Sequence, residues 1–355
     1  MTRVIVLAIS VLLVVVGCGG PTARVEVIPA PAPRTEPVQR GMVLPTWERH
    51  GYQDQSTGEA LKDIADVGAN WVQIVPTWYQ PAPNATTIAP TASTVDDADV
   101  RRVVSLARAQ GLRVLLKPHV DVLDGTDRAR INPADRDAWF ASYREFITHY
   151  ASLAAQLDVD QFAVGTELAG LSTDRSHWLP VIGAVRRAYG GEVLYAANHD
   201  EYKQVAFWEA VDLVGIDAYW PLSAQRPADA AELTAALMTR RDELAAFAAR
   251  VNHRILFTEA GFASQAGTAS APWSGDVSKQ VAKDEQAAAY DALLTAFTGQ
   301  PWWAGVFFWM WAVSAEHGVL RPTALDHAIW GKPAEAVVQK WWKPSLGARA
   351  DGPAR

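Results

Sequence analysis

The 355-residue chain contains a single cysteine, Cys18, so no disulfide can form within it. No apolar run reaches the roughly 20 residues that a bilayer-spanning helix needs; the clearest, Val4 to Val16, is shorter. No Lys/Arg-rich run stands out, and 39 acidic against 32 basic side chains leave a net charge of -7. That balance argues against nucleic acid as a partner, because phosphates call for a basic face. Also missing is a Gly-rich phosphate turn after the first apolar strand, where Pro45-Thr46-Trp47-Glu48 stands instead. Its absence argues against a doubly wound dinucleotide-binding sheet. Tryptophan, by contrast, is plentiful at 15 residues, more than core packing alone calls for, and its flat amphipathic ring suits stacking on sugars.

The lone cysteine stands where an export signal would end. Arg3, the apolar run Val4 to Val16 and the small Gly17 have the layout of a secretory signal. Val15-Val16-Gly17-Cys18 resembles a bacterial lipobox, which implies removal of residues 1–17 and lipid attachment at Cys18. The alternative is a plain signal peptide with an incidental cysteine. Residues 18–40, with Pro21, Pro29, Pro31, Pro33 and Pro37, read as an extended tether that builds no core. The expected location is therefore the bacterial cell envelope, with the lipid as the membrane contact. Residues 346–355 read as a disordered tail.

From Gly41 to about residue 345 the chain alternates between apolar strands and helices. Eight strands are predicted, at Gly41–Leu44, Trp71–Pro76, Arg113–Pro118, Gln161–Gly165, Val193–Ala197, Leu213–Ile216, Arg254–Thr258 and Gly305–Trp309. They are near-continuous apolar runs, as strands buried on both faces should be. Helices are predicted over residues 135–157, with Trp139, Tyr143, Phe146, Ile147, Tyr150 and Leu153 on one stripe, and from the cap Asp96 to Gly111. Others are predicted over residues 228–251, 280–299 and 333–342, while the connection after the fifth strand is short. Eight strand-then-helix units predict a single (β/α)₈ barrel, an α/β fold whose chemistry sits at the C-terminal ends of its strands.

Those ends carry a recognisable set of side chains. The fourth strand ends at Gly165-Thr166-Glu167 and the seventh at Thr258-Glu259. Two carboxylates are the minimum set for glycoside hydrolysis: one neutral to protonate the leaving oxygen, one ionised to attack or to activate water. Strands four and seven lie across the barrel from each other, so both side chains can enter one cleft. Trp47, Trp78, Tyr79, Trp220, Trp309 and Trp311 stand at or near strand mouths and are candidates for stacking on sugar rings, each with loop packing as the bland alternative. The third strand ends at Lys117-Pro118-His119 and the fifth at Asn198, which makes Lys117, His119 and Asn198 candidate sugar contacts. His119, Asp121, His199, Asp200 and Asp217 admit a rival metal-binding reading, weakened by the lack of a His-x-His pair or a similar spacing.

The segments Gly165-Thr166-Glu167-Leu168 and Phe257-Thr258-Glu259-Ala260-Gly261-Phe262 resemble the acid/base and nucleophile motifs of clan A glycoside hydrolases. With Leu115-Leu116-Lys117-Pro118, the stretch from Asp212 to Tyr219 and Gly331-Lys332-Pro333-Ala334, the chain resembles glycoside hydrolase family 113, whose known members are mainly β-1,4-mannanases. The likeness runs from about Gly41 to Trp342. It implies Glu167 as general acid/base, Glu259 as nucleophile, Tyr219 as the nucleophile's hydrogen-bond partner, and Trp309 or Trp311 as the floor beneath the reacting sugar. Many clan A enzymes carry Asn before the acid; Thr166 stands here, which leaves the 2-hydroxyl contact to another side chain such as Asn198 or His119. The expected activity is a retaining endo-β-1,4-mannanase acting as a monomer on a β-linked polysaccharide, with no cofactor and no metal. The competing readings are a metal-dependent hydrolase on the same barrel and a non-catalytic glycan-binding lipoprotein.

Overall fold

The computed structural model describes residues 38–224, 228–311, 313–314, 318–319 and 323–343. The predicted signal, Cys18, most of the tether and the tail lie outside the described residues. Eight apolar runs become the parallel staves of one closed barrel: β1 (Gln39–Pro45), β2 (Trp71–Val75), β4 (Arg113–Leu116), β6 (Gln161–Thr166), β7 (Glu192–Asn198), β8 (Leu213–Asp217), β9 (Ile255–Ala260) and β10 (Trp303–Phe308), which pairs back with β1. The (β/α)₈ barrel expected from the strand–helix alternation is therefore the fold. β1 begins at Gln39, two residues before the predicted start.

Alternation along the staves accounts for the continuous apolar runs, since successive side chains face opposite sides. Val43, Val75, Leu115, Ala163, Leu194, Leu256 and Phe307 fill the barrel interior, with Trp309 and Met310 packed against this plug. Met42, Leu44, Val72, Ile74, Val114 and Leu116 face outward into the cluster shared with the helices. Gly41 must be small: a β-carbon there would lie 2.2 Å from the Phe307 ring. Filling both faces contributes about 1.5–3 kcal/mol per large side chain and makes the barrel a rigid base for its rim.

Among the described residues seven α-helices surround the staves: α1 (Ser56–Asp66), α2 (Asp97–Ala109), α3 (Arg136–Gln156), α4 (Arg175–Ala188), α5 (Ala230–Val251), α6 (Lys283–Phe297) and α7 (Pro333–Trp342). Asp96 caps α2 by accepting from the Asp99 amide at 2.9 Å, and Gly111 just beyond it adopts a left-handed φ of 74°. Asp135 caps α3 in the same way, and the predicted stripe from Trp139 to Leu153 is buried. Between β7 and β8 a 3₁₀ turn, Trp208–Ala210, occupies the helix position, in the connection expected to be short. No helix among the described residues is long and apolar enough to cross a membrane.

One device was not predicted. After Pro76 and Pro118, which lack the N–H needed to continue a ladder, the second and third staves resume as β3 (Thr77–Gln80) and β5 (His119–Val122), paired in parallel. This ribbon raises the rim on one side and carries His119 and Asp121 toward the mouth.

Candidate active site

Glu259 is the penultimate residue of β9, opposite Asp217 in the ladder with β8, and is 5% exposed. Its Oε1 accepts from Lys117 Nζ at 2.7 Å and its Oε2 from the Tyr219 hydroxyl at 2.9 Å. Lys117 is fully buried and also donates to both Asp217 oxygens at 2.9 Å, while Thr258 Oγ1 donates to Asp217 Oδ1 at 2.7 Å. Burial lowers the Lys117 pKa, but the Asp217 and Glu259 carboxylates outweigh it and hold that pKa above the ordinary lysine value. Burial and the Glu259 charge push Asp217 well up, with Lys117 opposing. Tyr219 is driven well above the usual phenol range by burial and by Glu259, so it stays a donor. The arrangement holds an oriented carboxylate, with each oxygen bonded to a different donor.

Glu167 follows β6 in a left-handed conformation, φ 52°, with its amide bonded to the Ala196 carbonyl at 2.8 Å. For a non-glycine residue that is an uncommon backbone state, often found at functional turns. Its Oε2 accepts from Arg128 Nη1 at 2.7 Å, and Arg128 Nη2 donates to Asp121 Oδ1 at 2.5 Å. Burial raises the pKa of Glu167, Arg128 pulls the other way, and the Glu259 charge adds to the rise; the net direction is upward. A raised pKa suits a proton donor. Behind it, the Leu168 amide donates to the Tyr195 hydroxyl at 3.0 Å, and that hydroxyl donates to Glu201 Oε1 at 2.5 Å. Burial pushes Glu201 up to about 7, against hydrogen bonds from Tyr195 and the Asn198 amide. A cleft of about 420 Å³ opens beside Glu167, lined by Tyr79, Asp121, Leu123, Thr126 and Arg128.

The family model "Glycoside Hydrolase Family 113" matches residues 44–332, most of the chain and all of the residues just described. The chain belongs to glycoside hydrolase family 113. A solved family 113 β-mannanase from Alicyclobacillus acidocaldarius, in complex with ManMIm, is 30% identical; the match covers 87% of this chain and 98% of that one with a TM-score of 0.78. A second family 113 β-1,4-mannanase structure is 24% identical, covering 86% and 98% with a TM-score of 0.76. A GH5_18 structure from Streptomyces cattleya, in complex with Manb1-4GlcNAc, shares the fold at 17% identity, covering 89% and 82% with a TM-score of 0.60. No curated protein matches the chain.

In this family 113 barrel the predicted site residues fall into two groups. Glu167, Glu259, Tyr219, Lys117 and His119 surround the carboxylate site. Lys117, however, is sealed beneath Glu259 rather than open to a sugar, because a fully buried ammonium has no solvent face. His119 Nε2 lies 3.9 Å from Glu259 Oε1, too far for a hydrogen bond, and burial with the nearby Arg128 and Lys117 charges lowers its pKa well below normal, leaving a neutral ring. Thr166 Oγ1 is buried with no partner among the described residues. Asn198 ends β7 half-buried, its Oδ1 accepting from the His199 amide at 2.7 Å.

The aromatics divide by strand face. Trp47 is 41% exposed and meets the half-buried Trp309 edge-on at 6.2 Å, so this pair offers faces at the mouth. Trp78 and Trp220, expected there, turn the other way. Trp78 packs on Phe146 and Tyr150 of α3, and Trp220 packs on Phe257 and Tyr202 while donating to the His199 carbonyl at 2.9 Å. Their neighbours Tyr79 and Tyr219 take the inward face, since adjacent strand-like residues alternate. Trp78 instead borders a separate cleft of about 510 Å³ that includes neither Glu167 nor Glu259. Trp311 is buried, 6.0 Å from Trp330, whereas Trp309 is only half-buried.

Sequence reasoning missed Arg128, Glu201 and Tyr195. Arg128 sits on a 3₁₀ turn, Arg128–Arg130, in a loop without periodicity, and no spacing rule joins it to Glu167. Of the rival metal ligands, Asp121 and Asp217 are each bonded to a side-chain cation, Arg128 and Lys117. Among the described residues, three potential ligands come together only at His50, Asp96 and Asp99, a group that contains none of the rim candidates.

Proposed function

We propose that this chain is a retaining endo-β-1,4-mannanase with Glu259 as nucleophile and Glu167 as general acid/base. The supporting observation is the opposed setting of the two glutamates. Glu259 is bonded through one oxygen to an ammonium and through the other to a phenol, while Glu167 has its pKa raised by burial and by the Glu259 charge. In the first step Glu259 bonds to the anomeric carbon as the glycosidic bond breaks, and the Glu167 proton goes to the leaving oxygen. The Glu259 charge is then spent in the ester. One cause of the raised Glu167 pKa disappears, so Glu167 is readied to take a proton from water. That water attacks the anomeric carbon and frees Glu259.

Mannan as substrate is supported by the two family 113 neighbours, both β-mannanases. Internal cleavage is supported by exposed Trp47 on one side of the carboxylates and the cleft beyond Glu167 on another, so sugars can extend past the cleavage point. The purified protein should depolymerise mannan in preference to cellulose and xylan, and the first-formed product should keep the β configuration by NMR. Glu167→Gln and Glu259→Gln should each lose at least about 100-fold in kcat/KM. Inverted product, or an active Glu259→Gln variant, would overturn the assignment. We further infer that Cys18 carries a lipid anchor; the mass of the mature N-terminal peptide, and release of a Cys18→Ser variant from membranes, test it.

A further inference from the structure

Trp273 is 53% exposed, yet it is not loosely held. Its ring stacks on His199 with centroids 5.6 Å apart and planes 13° from parallel. Buried polar groups pin the chain on both sides of it. His327 Nε2 lies 2.8 Å from the Pro272 carbonyl oxygen, and Gln265 Nε2 donates to the Gly275 carbonyl at 2.6 Å. Gln265 Oε1 in turn accepts from the Val277 and Ser278 amides at 2.7 and 2.8 Å. The indole is thus presented at the rim in a set orientation, one face on an imidazole.

Its position follows from the ladder. His199 comes directly after Asn198, which pairs with Asp217 on β8, which pairs with Glu259 on β9. The Trp273–His199 stack therefore stands over the β7–β9 sector. Trp47 and Trp309 stand over β1 and the end of β10, on the other side of Glu259. A sugar lying on Trp309 with its anomeric carbon at Glu259 directs its glycosidic oxygen away from that pair, across the mouth. Aromatic faces bind the C–H faces of pyranose rings, and a pre-ordered ring binds at less entropic cost than a mobile one.

We propose that Trp273, backed by His199, is a platform for the sugar on the leaving-group side of the scissile bond. The inference rests on the mannanase reading and adds a specificity determinant for polymer over small leaving groups. Two substrates separate the roles: mannan, whose leaving group is a sugar chain, and mannobiosyl fluoride, whose leaving fluoride is too small to reach the indole. Trp273→Ala should lower kcat/KM for mannan by about 10-fold, and by several-fold more than for the fluoride. Trp273→Phe, which retains a flat ring and guards against a folding effect, should recover most of the loss. Equal losses on both substrates would mean a structural role and overturn the platform, as would an unchanged rate on mannan. Wild-type protein that cleaved neither substrate would overturn the mannanase reading and the platform with it.

Discussion

Lys117 is the only side-chain cation hydrogen-bonded to either Asp217 or Glu259 among the described residues, with contacts of 2.7–2.9 Å. Lys117→Met keeps the approximate volume and removes the charge. Two buried carboxylates then face each other without a counter-ion. Breaking a buried ion pair from one side costs about 3–5 kcal/mol, most of it from the charge left behind. Unfolding entropy of about 2.1 cal/mol/K per residue over a body of roughly 300 residues is about 0.6 kcal/mol/K, so Tm should fall by about 5–8 °C. The same loss makes the two acids share a proton, which moves the acid limb of kcat/KM to higher pH. The double variant Lys117→Met/Asp217→Asn removes one of the two orphaned charges and should recover about half of the lost Tm. It should also return the acid limb toward its original position. Calorimetry and pH–rate profiles on the three proteins decide the matter. A single variant that melts within about 1 °C of wild type, or a double variant less stable than the single, would refute the account of Lys117 as counter-ion to both acids.

Arg128→Met should move the alkaline limb of kcat/KM to higher pH. Glu167 must be protonated to act as an acid, so activity falls as pH rises through its pKa, and Arg128 at 2.7 Å holds that pKa down; a limb that stays put or moves down contradicts the role. Tyr219→Phe removes one of the two donors bonded to Glu259 and should lower kcat about 10–100-fold with KM little changed, as steady-state kinetics on mannan will report. Glu201, raised to about 7 by burial, binds its proton more tightly folded than unfolded. Its contribution is therefore full below the unfolded carboxyl pKa of about 4.3 and is lost as pH rises toward and through 7, a difference of roughly 4 kcal/mol. Glu201→Gln should flatten the decline in denaturant stability between pH 5 and 8, and an unchanged slope would show that Glu201 does not titrate there.

What the amino-acid order determines here is local. Apolar runs without alternation mark staves buried on both faces, and each run ends where chemistry begins, so Glu167, Glu259 and Tyr219 were legible at their mouths. Asp96, Asp135 and Gly111 mark helix ends because capping is a contact between near neighbours. Tertiary structure decided the rest. Which of Trp78 or Tyr79, and of Tyr219 or Trp220, enters the cleft depends on a one-residue register that composition does not reveal. Prolines 76 and 118 turned two simple stave ends into a raised ribbon. Lys117 meets Asp217 and Glu259 across 100 and 142 positions of chain, and Arg128 reaches Glu167 from an irregular loop. Such pairs are made by closure of the barrel, which brings distant strand ends to one rim and removes them from water; only then does a charge need the partner that the fold supplies.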